Sequence, residues 1–123
     1  RDSPVVNGVY KLVADRVDGA WRGVWKRSPH KATHPGPKQV HRVYEHGTMV
    51  GDTIAAEDER PDGEPLLVEA MRGGEPVHDE SLDRIRERTA SQLAALPAAL
   101  RPPEDDVPPY PVSYSERLRT AVG

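Results

Sequence analysis

The 123-residue chain has no cysteine and no phenylalanine, and its only aromatic side chains besides histidine are two Trp and four Tyr. Without cysteine there is no disulfide framework, no thiolate metal site and no cysteine nucleophile. No apolar run approaches the ~20 residues that a membrane span requires. No charged start followed by an apolar stretch marks a signal peptide, so the expected location is cytoplasmic, with no membrane partner. Val, Leu and Ile together number 24, just under a fifth of the chain. A fraction that low points to disorder when net charge is large, but here the net charge is only -3. Thirteen Pro and ten Gly indicate many turns without low complexity. The composition therefore predicts a folded domain with a thin core. The chain opens on Arg1-Asp2-Ser3-Pro4 without an initiator Met, as expected of a fragment or a processed product.

Charge is unevenly distributed. Residues 1–50 hold nine Lys/Arg and four acids, whereas 51–123 hold eight Lys/Arg and sixteen acids. The two halves can attract each other, the basic half can face an anion, or both can be ordinary solvated surface.

The first half reads as short strands. Val9–Ala14 is rich in branched and aromatic residues, and Ala20–Lys26 alternates large apolar with polar or smaller ones. Asp18-Gly19 between them is a strong two-residue hairpin signal, and paired positions then sum to 37. One face carries Leu12 opposite Trp25, Ala14 opposite Gly23 and Arg16 opposite Trp21. This is the face expected to be buried, with both tryptophans as core filling and the Arg16 stem lying across Trp21. Asp15 opposite Arg22 supports the register.

The same register sets Lys11 against Lys26, and two ammonium groups across an antiparallel pair repel. Either both tips splay into water, or a negatively charged ligand between them turns the repulsion into a site. The following segment, 26–38, is a loop, because Pro29, Pro35, Gly36 and Pro37 forbid a helix. It brings Lys26, Arg27, Lys31 and Lys38 together with the Ser28 and Thr33 hydroxyls, donors suited to phosphate oxygens. Four of the five histidines fall between 30 and 46, but prolines deny His30 and His34 a helix. With no cysteine and no carboxylate between Asp18 and Glu45, no metal site is expected.

Lys38–Tyr44 and Thr48–Ile54 read as a strand pair turning around Glu45-His46-Gly47, and 57–64 as an acidic turn or linker. Pro65–Met71 reads as a further strand closed by a Gly73-Gly74 turn. A helix is expected from about Asp79, its cap, to Pro97, with Leu82, Ile85, Thr89, Leu93 and Leu96 on one face and Glu80–Arg84 and Asp83–Arg86 pairs outside. Ser115 is expected to cap a short final helix over 116–122. The expected fold is α+β: short antiparallel strands and hairpins, then a helix of two turns or more and a short C-terminal helix. No nucleophile–base–acid set can be assembled from the residues.

The order Gly8-Val9-Tyr10-Lys11-Leu12-Val13, Lys26-Arg27-Ser28, Lys31-Ala32-Thr33, Pro35-Gly36-Pro37-Lys38-Gln39-Val40 and Arg42 resembles the C-terminal region of nicotinate phosphoribosyltransferase. So do Glu64–Val68, Met71–Gly74, the helix from Ser81 to Leu96, Tyr110-Pro111-Val112 and Ser115–Leu118. The resemblance implies a full enzyme that joins nicotinate to the phosphoribosyl group of phosphoribosyl pyrophosphate (PRPP), using ATP and Mg2+, in NAD salvage. It further implies a homodimer built on an α/β barrel, with the catalytic histidine upstream, no catalytic residue in this chain and no cofactor bound by this chain alone. Residues 1–16 would finish the barrel's last strand, and 17–123 would form a C-terminal domain: a basic β part, 17–56, an acidic linker, 57–64, and a strand and helical part, 65–123. In related nicotinamide-using enzymes, lysines of the equivalent stretch reach phosphates in the partner subunit's active site. By position these correspond to Lys11, Lys26, Lys31 and Lys38, the implied PRPP-binding residues. Two alternatives remain: a non-catalytic interaction or dimerisation module, and a basic nucleic-acid binder, which the absence of an exposed aromatic platform disfavours.

Overall fold

In the computed structural model, residues 8, 10–25, 33–101 and 107–120 are described. The elements in chain order are β1 (Ala14–Val17), β2 (Ala20–Gly23), β3 (Lys38–Glu45), β4 (Thr48–Ala56), β5 (Glu64–Pro65), β6 (Met71–Arg72), β7 (Glu75–Pro76), α1 (Leu82–Ala95), β8 (Val112–Tyr114) and α2 (Glu116–Thr120). The fold is α+β, as the sequence predicts.

Two-residue turns set the first two hairpins. Asp18 and Gly19 have φ of 51° and 82°, and His46 and Gly47 have 49° and 80°, the doubly positive pattern whose twist matches paired strands. The β1–β2 register pairs Ala14 with Gly23, Asp15 with Arg22 and Arg16 with Trp21, as expected from the Asp-Gly turn. Gly73-Gly74 closes the β6–β7 hairpin in the same way.

The main sheet has the order β5-β3-β4-β8, with β8 parallel to β4 and the other neighbours antiparallel. Near the His46-Gly47 turn, Tyr44 faces Met49, but beyond it Val43 faces Gly51, so Val50 is an extra residue on β4. This bulge brings Arg42 opposite Asp52. Arg42 donates from Nε and one terminal nitrogen to the two Asp52 oxygens, at 2.8 and 2.7 Å. The Tyr110 hydroxyl donates to Asp52 at 3.0 Å, and its ring lies 5.8 Å from the Arg42 guanidinium carbon. The hydrogen-bonded guanidinium holds the Asp52 carboxyl below its ordinary range, against the opposing effect of burial.

The final helix is seated by a second polar tie. The Ser115 hydroxyl accepts from the Leu118 amide and donates to Glu59, whose same oxygen accepts from the Ala56 amide. Leu118 is thereby buried, with Met49 and Ala55, the other apolar side chains buried among the described residues.

Several expectations are corrected. β1 begins at Ala14, and the hairpin strands are shorter than the apolar pattern implied. Pro65–Met71 is not one strand: after Leu66 donates to Val40, the Gln39 side-chain amide takes both the amide and the carbonyl of Leu67 in place of a neighbouring strand. Residues 57–64 begin in a turn, as one of the two expected readings has it, and Glu59 and Asp58 there anchor the last helix through Ser115 and Arg117. α1 starts at Leu82 with Ser81 as its cap, because the Ser81 hydroxyl reaches the Arg84 amide. Glu80, lying before that cap, pairs with Arg88 and not with Arg84, while the Asp83–Arg86 pair forms as expected. The tryptophan-bearing face is not buried: Trp21 is 72% exposed and Leu12 and Trp25 are also exposed, so the expected lack of exposed aromatics no longer counts against the nucleic-acid alternative.

Two expected outcomes follow from these ties. Gly63 has φ +116°, and a Cβ there would stand 2.8 Å from the Arg42 carbonyl oxygen, so Gly63→Ala should cost about 1–3 kcal/mol in chemical denaturation. An unchanged midpoint would contradict that contact. Asp52→Ala should cost about 2–4 kcal/mol at neutral pH, between the values for a charged hydrogen bond and a buried ion pair. Because the folded Asp52 titrates below its ordinary value of 3.8, the pair's stabilisation is complete above that value and is lost as pH falls through the lower folded value. The stability gap between wild type and Asp52→Ala should therefore close below about pH 4, and a gap independent of pH would refute the ionic account.

Candidate phosphate-binding site

The basic segment is built around the β1–β2 hairpin and the loop that enters β3. The hairpin pairing continues past β1, since the Val24 amide donates to Val13 at 2.8 Å. The Val13 carbonyl also accepts from the Gly36 amide at 2.7 Å, which fastens the loop to the hairpin. Gly23 lets Pro35 close in: a Cβ at residue 23 would sit 2.9 Å from that of Pro35. The root of β3 and the open end of the hairpin are thus held side by side.

Lys11 lies just before β1 and is exposed. Lys38 opens β3, where its ammonium donates to the Gly36 carbonyl at 2.7 Å and partial burial lowers its pKa. Lys26 and Lys31 lie outside the described residues, and so does the Lys11–Lys26 pairing. Other cations of the hairpin are already engaged: Arg22 forms a two-pronged pair with Asp15, and Arg16 donates to the Gly19 carbonyl in the turn. Lys11 is therefore better placed than its arginine neighbours to meet an incoming anion.

A cleft of about 510 Å3 lies between the hairpin, the proline loop and α2, and Trp21, Pro35, Asp58 and Arg117 line it. Its rim carries Glu57 and Asp58 against the single Arg117, and Arg117 is committed to Asp58 at 2.8 Å. That net negative rim suits an apolar or cationic group better than a phosphate.

His34 and His41 have structural surroundings. His34 Nδ1 is 3.1 Å from the Leu118 carbonyl, and its ring stacks on Tyr114 with centroids 4.2 Å apart. His41 is buried in β3 with Nδ1 unpaired. Among the described residues no three His, Asp or Glu side chains converge to hold a metal ion, and no helix is long and apolar enough to cross a membrane.

The most strongly coupled charged group, Arg42–Asp52–Tyr110, was not expected from sequence. A plain His46-Gly47 hairpin pairs residue 42 with Gly51, and only the bulge at Val50 moves Asp52 into place. Tyr110 then arrives through the parallel strand β8, a contact across 58 residues of sequence.

No family model matches the chain. The chain is 42% identical over 120 residues to nicotinate phosphoribosyltransferase pncB2 of Mycobacterium tuberculosis, an alignment that covers 96% of this chain and 25% of that protein. It is 36% identical over 118 residues to nicotinate phosphoribosyltransferase pncB1 of the same organism, covering 86% of this chain and 25% of that protein. The resemblance read from the lysine, proline and glycine spacing is thereby supported along almost the whole chain. The chain is thus similar along almost its whole length to nicotinate phosphoribosyltransferases, matching a C-terminal fragment, and it spans about a quarter of the length of those relatives.

Proposed function

We propose that this chain is the C-terminal part of an enzyme that forms nicotinate mononucleotide from nicotinate and PRPP with ATP hydrolysis, in NAD synthesis. The sequence identity to two nicotinate phosphoribosyltransferases carries this reading. In it, residues 1–16 close the barrel of the longer protein and 17–123 form its C-terminal domain, in a cytoplasmic homodimer. The reacting groups belong to the larger, preceding part. By the resemblance, ATP and Mg2+ belong there too.

The segment's own contribution is electrostatic. PRPP carries a phosphate and a pyrophosphate, and positive groups held beforehand at such oxygens stabilise both binding and the departing charge. Lysine supplies a compact, mobile point charge for this purpose. Lys11, Lys26 and Lys31 are the proposed phosphate ligands. Lys38 is a weaker member of the set, because its ammonium must leave the Gly36 carbonyl to reach an anion. The hairpin register supports the grouping of Lys11 with Lys26, two residues beyond the Val13–Val24 hydrogen bond.

In the full-length protein, Lys11→Met and Lys26→Met should each weaken PRPP binding by about 1–3 kcal/mol, roughly 5- to 150-fold, in isothermal titration. Unchanged affinity in both variants would remove the lysines from the site. A response to salt but none to PRPP would instead favour the nucleic-acid reading. The 123-residue chain alone should form no nicotinate mononucleotide when supplied with nicotinate, PRPP and Mg-ATP. Turnover by this chain would show that the catalytic groups do not lie elsewhere.

A further inference from the structure

Helix α1 has 14 residues, a rod of about 21 Å, and none of its residues is buried. Leu82, Ile85, Thr89 and Leu93 recur at intervals of three and four, which puts them on one side of it. At its C-terminal end that side meets the sheet across an underfilled cleft of about 310 Å3, with Arg42, Met49 and Tyr110 opposite Thr89 and Leu93. At its N-terminal end Leu82 is 59% exposed, and Leu93 remains 62% exposed even at the cleft. A helix in a folded protein draws most of its stability from covering its apolar side. A chain with a mean hydropathy of -0.71 and so few Val, Leu and Ile nevertheless spends several of them on an open stripe.

We infer that the Leu82–Ile85–Leu93 stripe of α1 is a docking face, and that its occupant is the polypeptide making up the other three quarters of the longer relatives. The length relation supports this occupant: proteins 42% identical to this chain carry it as one quarter of a single polypeptide. A stripe left open in the isolated quarter is then covered when the rest is present. The inference depends on the reading of the chain as a segment of a longer enzyme, but not on the lysines as phosphate ligands.

The test mixes the isotopically labelled 123-residue chain with the M. tuberculosis pncB2 polypeptide lacking the matching quarter, and follows amide hydrogen exchange and binding. Association should slow exchange over 82–93. Leu82→Glu with Ile85→Glu should weaken association about tenfold or more while the helical circular dichroism of the chain stays unchanged. No association, protection confined to the Trp21–Trp25 hairpin, or equal binding by the double variant would each overturn the inference. Concentration-dependent self-association of the chain alone, abolished by the same double variant, would overturn it in favour of a second copy as the occupant. The protection map of the unsubstituted chain decides the matter even if the double variant misfolds. PRPP affinity of the complex, compared with that of a Lys11→Met complex, reports separately on the phosphate reading.

Discussion

The Arg42–Asp52 pair holds together parts of the chain that apolar packing would join in a larger domain. It spans the two long strands, and Tyr110 ties the segment leading into β8 to the same carboxylate. With Met49, Ala55 and Leu118 the buried apolar side chains among the described residues, such polar ties carry an unusual share of the specification. The pair is only 18% and 10% exposed at its two side chains, so its hydrogen bonds are shielded from water and each oxygen needs its partner. Glu59 plays the corresponding part at the other end of β4, where one oxygen serves both the strand end and the cap of α2.

From this frame the basic hairpin is suspended by backbone contacts. Val13 accepts from both Val24 and Gly36, so hairpin and proline loop share one carbonyl. The proline loop is thereby fastened at Gly36, while Lys11 stands exposed at the hairpin's open end.

What was legible in the sequence was local. Asp18-Gly19, His46-Gly47 and Gly73-Gly74 announce their hairpins because a two-residue turn with positive φ admits few residue types. Ser115 and the final helix were readable because a serine hydroxyl caps the first free amides of a helix. The errors arose where the choice among side-chain partners decides. Ser81 won over Asp79 as the cap of α1 while Glu80 was drawn to Arg88, and Gln39 replaced a strand neighbour for Leu67. The tryptophan face was assigned to a core on pattern alone, yet alternation says only which side chains share a face, not what covers them. The Arg42–Asp52 pair lay hidden behind the extra residue Val50, which no periodicity announces. The lysines belong to another category, since Lys26 and Lys31 lie outside the described residues and their role rests on spacing and resemblance.

Lys11 and Lys26 should converge on a polyanion, and a crystal structure of the full-length protein grown with pyrophosphate decides the point. The account predicts anion oxygens within hydrogen-bonding distance, about 3 Å, of both ammonium groups. Pyrophosphate bound away from both, or the two side chains on opposite sides of the hairpin, would contradict it.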